Sequence, residues 1–252
     1  MLSFSENISC IIVAGGQEDE QESETVELIT EDLGTKQVTN LPRRIVSPST
    51  VYHDGGILLC GGQYNEQKCL HVSMSGTSKK HSTLNQKRYF HSAVKTQTAT
   101  FLFGGLNSRN TYEYLPKGST TWLMGKTEIP MGFKLGCAIA VKSDQEIWLI
   151  GGLETEKRIL SFNVKYHTFK ELPYLLKVGR YKHSCAFIPN TKKVMITGGM
   201  ITSAGGFSFF NSTEILDTKD GSVTMASPMN SKRSSHGMGI LTIKGEDRLA
   251  VF

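Results

Sequence analysis

The sequence predicts an all-β fold: a β-propeller of five full repeats plus a partial sixth, with four antiparallel strands per blade. Three observations predict it. Five apolar runs each end in a glycine doublet: Gly15–Gly16, Gly61–Gly62, Gly104–Gly105, Gly151–Gly152 and Gly198–Gly199. The first glycines are 46, 43, 47 and 47 residues apart. A second signal keeps phase with the first: a basic residue followed three later by a small or polar one, as Arg44/Ser47, Arg88/His91, Lys134/Cys137, Arg180/His183 and Arg233/His236. Four short strand-like segments then fit each period, which is the length of a propeller blade.

The elements follow in order. Repeat 1, Ile11–Pro42, opens on the doublet strand IIVAGG and continues with TVELIT and a weaker segment around Val38. Nothing upstream of Ile11 resembles an inner strand. Repeat 2, Arg44–Gln86, has STVYH, ILLCGG and CLHVSM. Repeat 3, Arg88–Pro130, has SAVKT, FLFGG, TYEYLP and Trp122. Repeat 4, Lys134–Pro173, has AIAV, IWLIGG, ILSFNV and Phe169. Repeat 5, Arg180–Pro228, has SCAFI, VMITGG and TEILDT. A sixth begins with GMGIL and RLAVF, so the ring is expected to be incomplete at both ends. It reads as a piece of a longer protein or as a degenerate propeller with free strand edges. β-Branched and aromatic residues bounded by Gly, Asn and Asp mark strands, and no segment sustains a 3.6-residue apolar spacing. The whole of 1–252 reads as one domain. A glycine doublet after a strand fits a sharp turn where a side chain would clash.

Composition narrows the function. Hydrophobic residues are 38% and charged residues 20%, enough for a core. The formal net charge of +5 is spread along the chain, unlike the footprint of a nucleic-acid binder. No apolar run reaches a membrane span, and the first residues lack the marks of a signal peptide. The five cysteines, Cys10, Cys60, Cys69, Cys137 and Cys185, form no CxxC pair. They are expected to be free thiols in a reducing compartment, the cytoplasm. GSTTWLMGKT (118–127) fails as a phosphate loop because its glycines are seven apart and it falls in strands. His91, His183 and His236 occupy equivalent repeat positions, but no HxH or HxxxH pair makes them a metal site. Two sequons, at Asn7 and Asn211, leave a secreted recognition module open.

The apolar run with Gly-Gly, the third-strand aromatics Tyr114 and Phe162, and Trp122 or its substitute Phe169 together resemble the kelch-repeat family over roughly residues 9–252. Only one repeat keeps Trp in the fourth strand, and repeats 1, 2 and 5 lack the third-strand Tyr. The chain is expected to be a recognition propeller that is not an enzyme and needs no cofactor, since no catalytic constellation of the family falls on its residues. It would bind protein partners through acidic or extended segments, with no nucleic acid and no membrane insertion. Many such propellers serve cullin-RING ubiquitin ligases behind BTB and BACK domains. The resemblance also places Arg44, Arg88, Lys134, Arg180 and Arg233 at the rim of the central pocket, where a ring of cations suits acidic motifs. An insertion at 200–212 carries Phe207, Phe209 and Phe210 as candidate partner anchors. The enzymatic alternatives within the family are a galactose-oxidase-like copper enzyme and a sialic acid mutarotase.

Overall fold

The computed structural model describes residues 11–18, 21–30, 34–42, 44–63, 67–141, 145–243 and 246–251. They form strands and turns without a helix. The first sheet has three strands: β1 (Ile11–Glu18), β2 (Gln21–Ile29) and β3 (Thr35–Asn40). Blade 2 is β4 (Ser49–His53), β5 (Gly56–Cys60), β6 (Lys68–Ser73) and β7 (Ser78–Thr83). Blade 3 is β8 (Ser92–Lys95), β9 (Ala99–Phe103), β10 (Tyr112–Pro116) and β11 (Leu123–Met124). Blade 4 is β12 (Cys137–Val141), β13 (Glu146–Ile150), β14 (Ile159–Asn163) and β15 (Thr168–Glu171). Blade 5 begins with β16 (Ser184–Ile188) and β17 (Lys193–Thr197), leaves the sheet for a separate hairpin of β18 (Met200–Ser203) and β19 (Gly206–Phe209), and ends with β20 (Thr213–Asp217) and β21 (Val223–Ala226). A last hairpin, β22 (Met238–Ile243) and β23 (Glu246–Val251), begins a sixth unit. The inner strands β4, β8, β12, β16 and β22 stand side by side, and β22 also meets β1. This is the expected propeller.

The core lies between blades. Leu58 and Cys60 of blade 2 pack on Leu102, Leu115 and Trp122 of blade 3. Phe101, Phe103 and Tyr112 of blade 3 pack on Phe133, Leu149 and Phe162 of blade 4. Ile150 and Ile159 of blade 4 pack on Val194, Ile196 and Leu216 of blade 5. A middle strand is therefore covered on both faces. That is why β5 and β9 are buried at every position and read as continuous apolar runs, without the alternation of a half-exposed sheet.

The doublets stitch neighbouring blades. Gly62, Gly105, Gly152 and Gly199 donate their N–H to the carbonyls of Arg88, Phe133, Arg180 and Arg233 of the next blade, at 2.8–3.1 Å. All eight glycines of these four doublets have positive φ. A Cβ on Gly104 would lie 1.8 Å from the Phe133 carbonyl oxygen, so close approach excludes any side chain there. The first doublet differs, since Gly15 and Gly16 lie inside β1 at a register shift.

These bonds fix the true repeat register. Ile45, Arg88, Phe133, Arg180 and Arg233 are equivalent, and two residues later come Ser47, Phe90, Leu135, Lys182 and Ser235. All five of these are left-handed, with φ of 53–59°. A backbone ladder runs through them: Phe90 N–H to Ser47 O, Leu135 to Phe90, Lys182 to Leu135, and Ser235 to Lys182, at 2.6–3.3 Å. Each left-handed non-glycine residue costs roughly 1–2 kcal/mol. The inter-blade bonds hold all five in place.

The cysteines correct the expectation of free thiols. Cys60 is bonded to Cys69, its direct partner across β5 and β6, with Cα atoms 4.1 Å apart. Cys137 is bonded to Cys185, which joins inner strands β12 and β16, with Cα atoms 6.1 Å apart. The pairing was hidden because one partner lies across a hairpin and the other on the next blade. Cys10 lies outside the described residues.

Candidate functional site

The candidate site is the channel mouth on the face that carries the doublets. The loop before each inner strand, the ladder above, and the residue after each doublet converge there. The mouth has an apolar floor: Leu135, Tyr181 and Met200 are buried together, with Phe90 and Leu153 packed against them. Its cations are Lys182, whose Nζ lies 5.2 Å from the Phe90 ring centroid, and Lys134. Lys134 is bound to Glu154 at 2.8 Å, and Arg109 reaches the same carboxylate at 3.4 Å. These cations, Lys134 foremost, hold the Glu154 carboxyl below its ordinary pKa.

The five predicted rim cations separate into two groups. Arg88 and Arg180 are fully buried and are corrected to structural residues. Arg88 Nε donates to Glu113 Oε1 at 2.9 Å, and its Nη1 donates to the carbonyls of Gly104 (2.8 Å) and Thr111 (3.0 Å). Arg180 repeats this with Glu214 (2.6 Å), Gly198 O (2.6 Å) and Ser212 O (3.2 Å). Each clamps the strand before the doublet to the strand after it. The other three are not buried clamps of this kind. Arg44 and Arg233 are exposed, and Lys134 is half-buried. Arg44 and Lys134 also sit one residue out of register, since Ile45 and Phe133 occupy the true Arg positions.

That substitution is chemically consistent along the chain. Arg88 and Arg180 each face a Glu (Glu113, Glu214); where Ile45 or Phe133 stands, Leu70 or Leu160 takes the Glu place. Glu113 also accepts the N–H of Asn85 (2.6 Å) and Gln86 (3.1 Å), and Glu214 those of Lys177 (2.8 Å) and Val178 (3.1 Å). In the apolar blades the residue equivalent to Asn85 is Pro42 or Pro130, which has no N–H to satisfy.

The histidines are wedges between blades. His91 Nε2 meets Ser49 Oγ at 2.6 Å, and His236 Nε2 meets Thr197 Oγ1 at 2.8 Å, each on the preceding blade. Burial pushes His91 and His183 down to about 3 and His236 to about 4, and the neighbouring Arg of each adds to the shift. They stand in three different seams. Among the described residues no group of three His, Cys, Asp or Glu is arranged to hold a metal.

The insertion forms the β18–β19 hairpin beside the mouth. Phe207 and Phe209 are 68% and 44% exposed. Phe210 is half-buried, with the Arg180 guanidinium 5.6 Å from its ring centroid. Tyr181 Oη bonds Thr202 Oγ1, which ties the hairpin to the floor. The other hairpin face, through Ile201, borders an outer cleft of about 400 Å³ lined by Glu154, Glu156, Lys157, Arg158 and Leu175. Asn211, the residue of the second sequon, gives a side-chain N–H to Met229 O at 3.2 Å. Sequence reading missed Phe90, Leu135 and Lys182, because it followed the basic residues and not the position two later.

Neither a family model nor a curated protein matches the chain. Solved structures do. The chain is similar to YjhT, at 12% identity and a TM-score of 0.66, over 79% of this chain and 70% of that one. This likeness shows the fold. It also corrects the expectation that the protein is not an enzyme, since a likeness of fold gives no ground for that exclusion.

Proposed function

We propose that the doublet face is a recognition surface that holds an extended, acidic segment of a protein partner at the channel mouth. One observation carries this. An apolar floor, exposed aromatics (Phe207, Phe209) and the cations Lys182 and Arg233 lie on the same face. Aromatic anchors beside cations suit a segment that carries both apolar and acidic side chains. The test uses a fluorescein-labelled octapeptide of alternating Glu and Val. Lys182→Glu with Arg233→Glu should weaken binding at least tenfold and flatten its salt dependence; unchanged affinity would overturn the reading. Arg88 and Arg180 are unsuited to this test, since their reversal would report on folding.

A second reading is catalytic and rests on the sialic acid mutarotase alternative that the repeat resemblance carries. It places a small carboxylated sugar at the same mouth, its carboxylate toward Lys182. Proton NMR of N-acetylneuraminic acid distinguishes it: faster anomer exchange with the chain present supports it, and an unchanged rate removes it. The ligase-adaptor role implied by the family resemblance has no residue of the mouth arguing for it.

A further inference from the structure

We infer that the hairpin receives its partner by strand addition, with an extended acidic segment pairing along the outer edge of β19. The inference rests on the recognition reading above and names how that recognition is made.

The hairpin stands outside the blade sheets, and β19 pairs only with β18 among the described residues. Its backbone directions follow from three bonds. Phe210 N–H donates inward to Gly199 O at 2.9 Å, while Met200 exchanges both its backbone bonds with Tyr181, outside the hairpin, at 2.9 Å each. Backbone groups of a strand alternate sides. Met200 and its cross-strand partner Phe209 therefore turn their N–H and C=O away from each other, as do Thr202 and Phe207. On β18 that edge is taken by Tyr181. On β19 it presents the backbone groups of Phe207 and Phe209 to solvent.

This edge lacks the devices that normally protect one. Lysine, proline or an inward charge usually blunts an exposed strand. From Met200 to Ser212 there is no charged residue and no proline, and β19 is exposed along its length. The two Phe side chains share one face, as residues two apart must. At the base of the hairpin, between Gly199 and Phe210, lies the loop before β22. Its Arg233 N–H donates to Phe210 O at 3.1 Å, and both Lys232 and Arg233 are exposed. The occupant that matches is an extended segment with alternating apolar and acidic residues. Its backbone would bond to Phe207 and Phe209, its apolar side chains would lie on the two rings, and its carboxylates would meet Lys232 and Arg233.

The test compares two variants with the same Glu-Val octapeptide. Phe207→Ala removes the ring. Phe207→Pro removes the ring and the outward N–H, which the hairpin itself does not use. Strand addition predicts that Phe207→Pro binds at least tenfold more weakly than Phe207→Ala. It also predicts that the peptide slows hydrogen exchange at the Phe207 and Phe209 amides of the unmodified chain. Equal affinities, with exchange slowed only around Phe90, Leu135 and Lys182, would overturn the edge and leave recognition at the mouth standing. No binding by the unmodified chain would overturn both.

Discussion

At the scale of single residues, the doublets show how a short motif can carry a contact that a sequence only implies. Gly104 and Gly118 both have positive φ, at 65° and 78°. A side chain on Gly118 would meet nothing within 4 Å, whereas one on Gly104 would strike the Phe133 carbonyl. Gly118→Ala should therefore cost about 1 kcal/mol from backbone conformation alone. Gly104→Ala should cost several kcal/mol, because it also disturbs the stitch between blades 3 and 4. Urea denaturation of both variants checks this, and equal losses would refute the account of the doublets as inter-blade contacts. The spacing of the doublets was legible because close approach leaves only glycine. The mouth was not. Its five left-handed residues are Ser, Phe, Leu, Lys and Ser, held by backbone bonds that put no constraint on residue type. The disulfides were hidden for a related reason: Cys137 and Cys185 meet only once the blades are side by side.

At the scale of the blade, one position has two chemical solutions. Blades 3 and 5 bury an Arg–Glu pair, while blades 2 and 4 bury Ile45 with Leu70 and Phe133 with Leu160. A buried ion pair is often replaced by well-packed apolar groups at little cost, but removing one partner costs about 3–5 kcal/mol. Glu113→Leu alone should fall in that range, since it strands the Arg88 charge and the Asn85 and Gln86 N–H groups. The triple change Asn85→Pro, Arg88→Phe and Glu113→Leu copies blade 4. It removes the charge and one orphan donor together, and should cost less than Glu113→Leu alone. Chemical denaturation of the single and triple variants decides it; a triple variant no more stable than the single would show that the Arg88 bonds to Gly104 O and Thr111 O outweigh the pairing. In the sequence these basic residues keep phase, and the repeat resemblance places them at a rim. Two of the five are these clamps, and only the partner Glu on the third strand reveals it.

At the scale of the whole ring, the seams between blades set the response to pH. His91, His183 and His236 lie in three separate seams, and burial holds each neutral well below the ordinary value of 6.5. An unfolded chain takes up these protons near pH 6.5, while the folded chain refuses them until about 3 for His91 and His183 and about 4 for His236. The unfolded state then binds more protons in that window, so folding stability rises with pH through it and is flat above it. Each histidine contributes up to about 1.4 kcal/mol per pH unit. His53, His81 and His167 are shifted the same way by burial and add to the slope. Ordinary carboxylates titrate below about 4.5, so the interval from pH 4.5 to 6.5 isolates the histidines. The ring should lose stability steeply across it, as protonation in any one seam parts two blades and exposes the apolar cluster between them. His91→Gln keeps a polar group toward Ser49 without the charge. It should lower stability at pH 7.5 and make the fall toward pH 4.5 shallower. Urea midpoints that are equal at pH 5 and pH 7.5 in the unmodified chain would show that the seams open locally to admit protons, and that the wedges do not control closure of the ring.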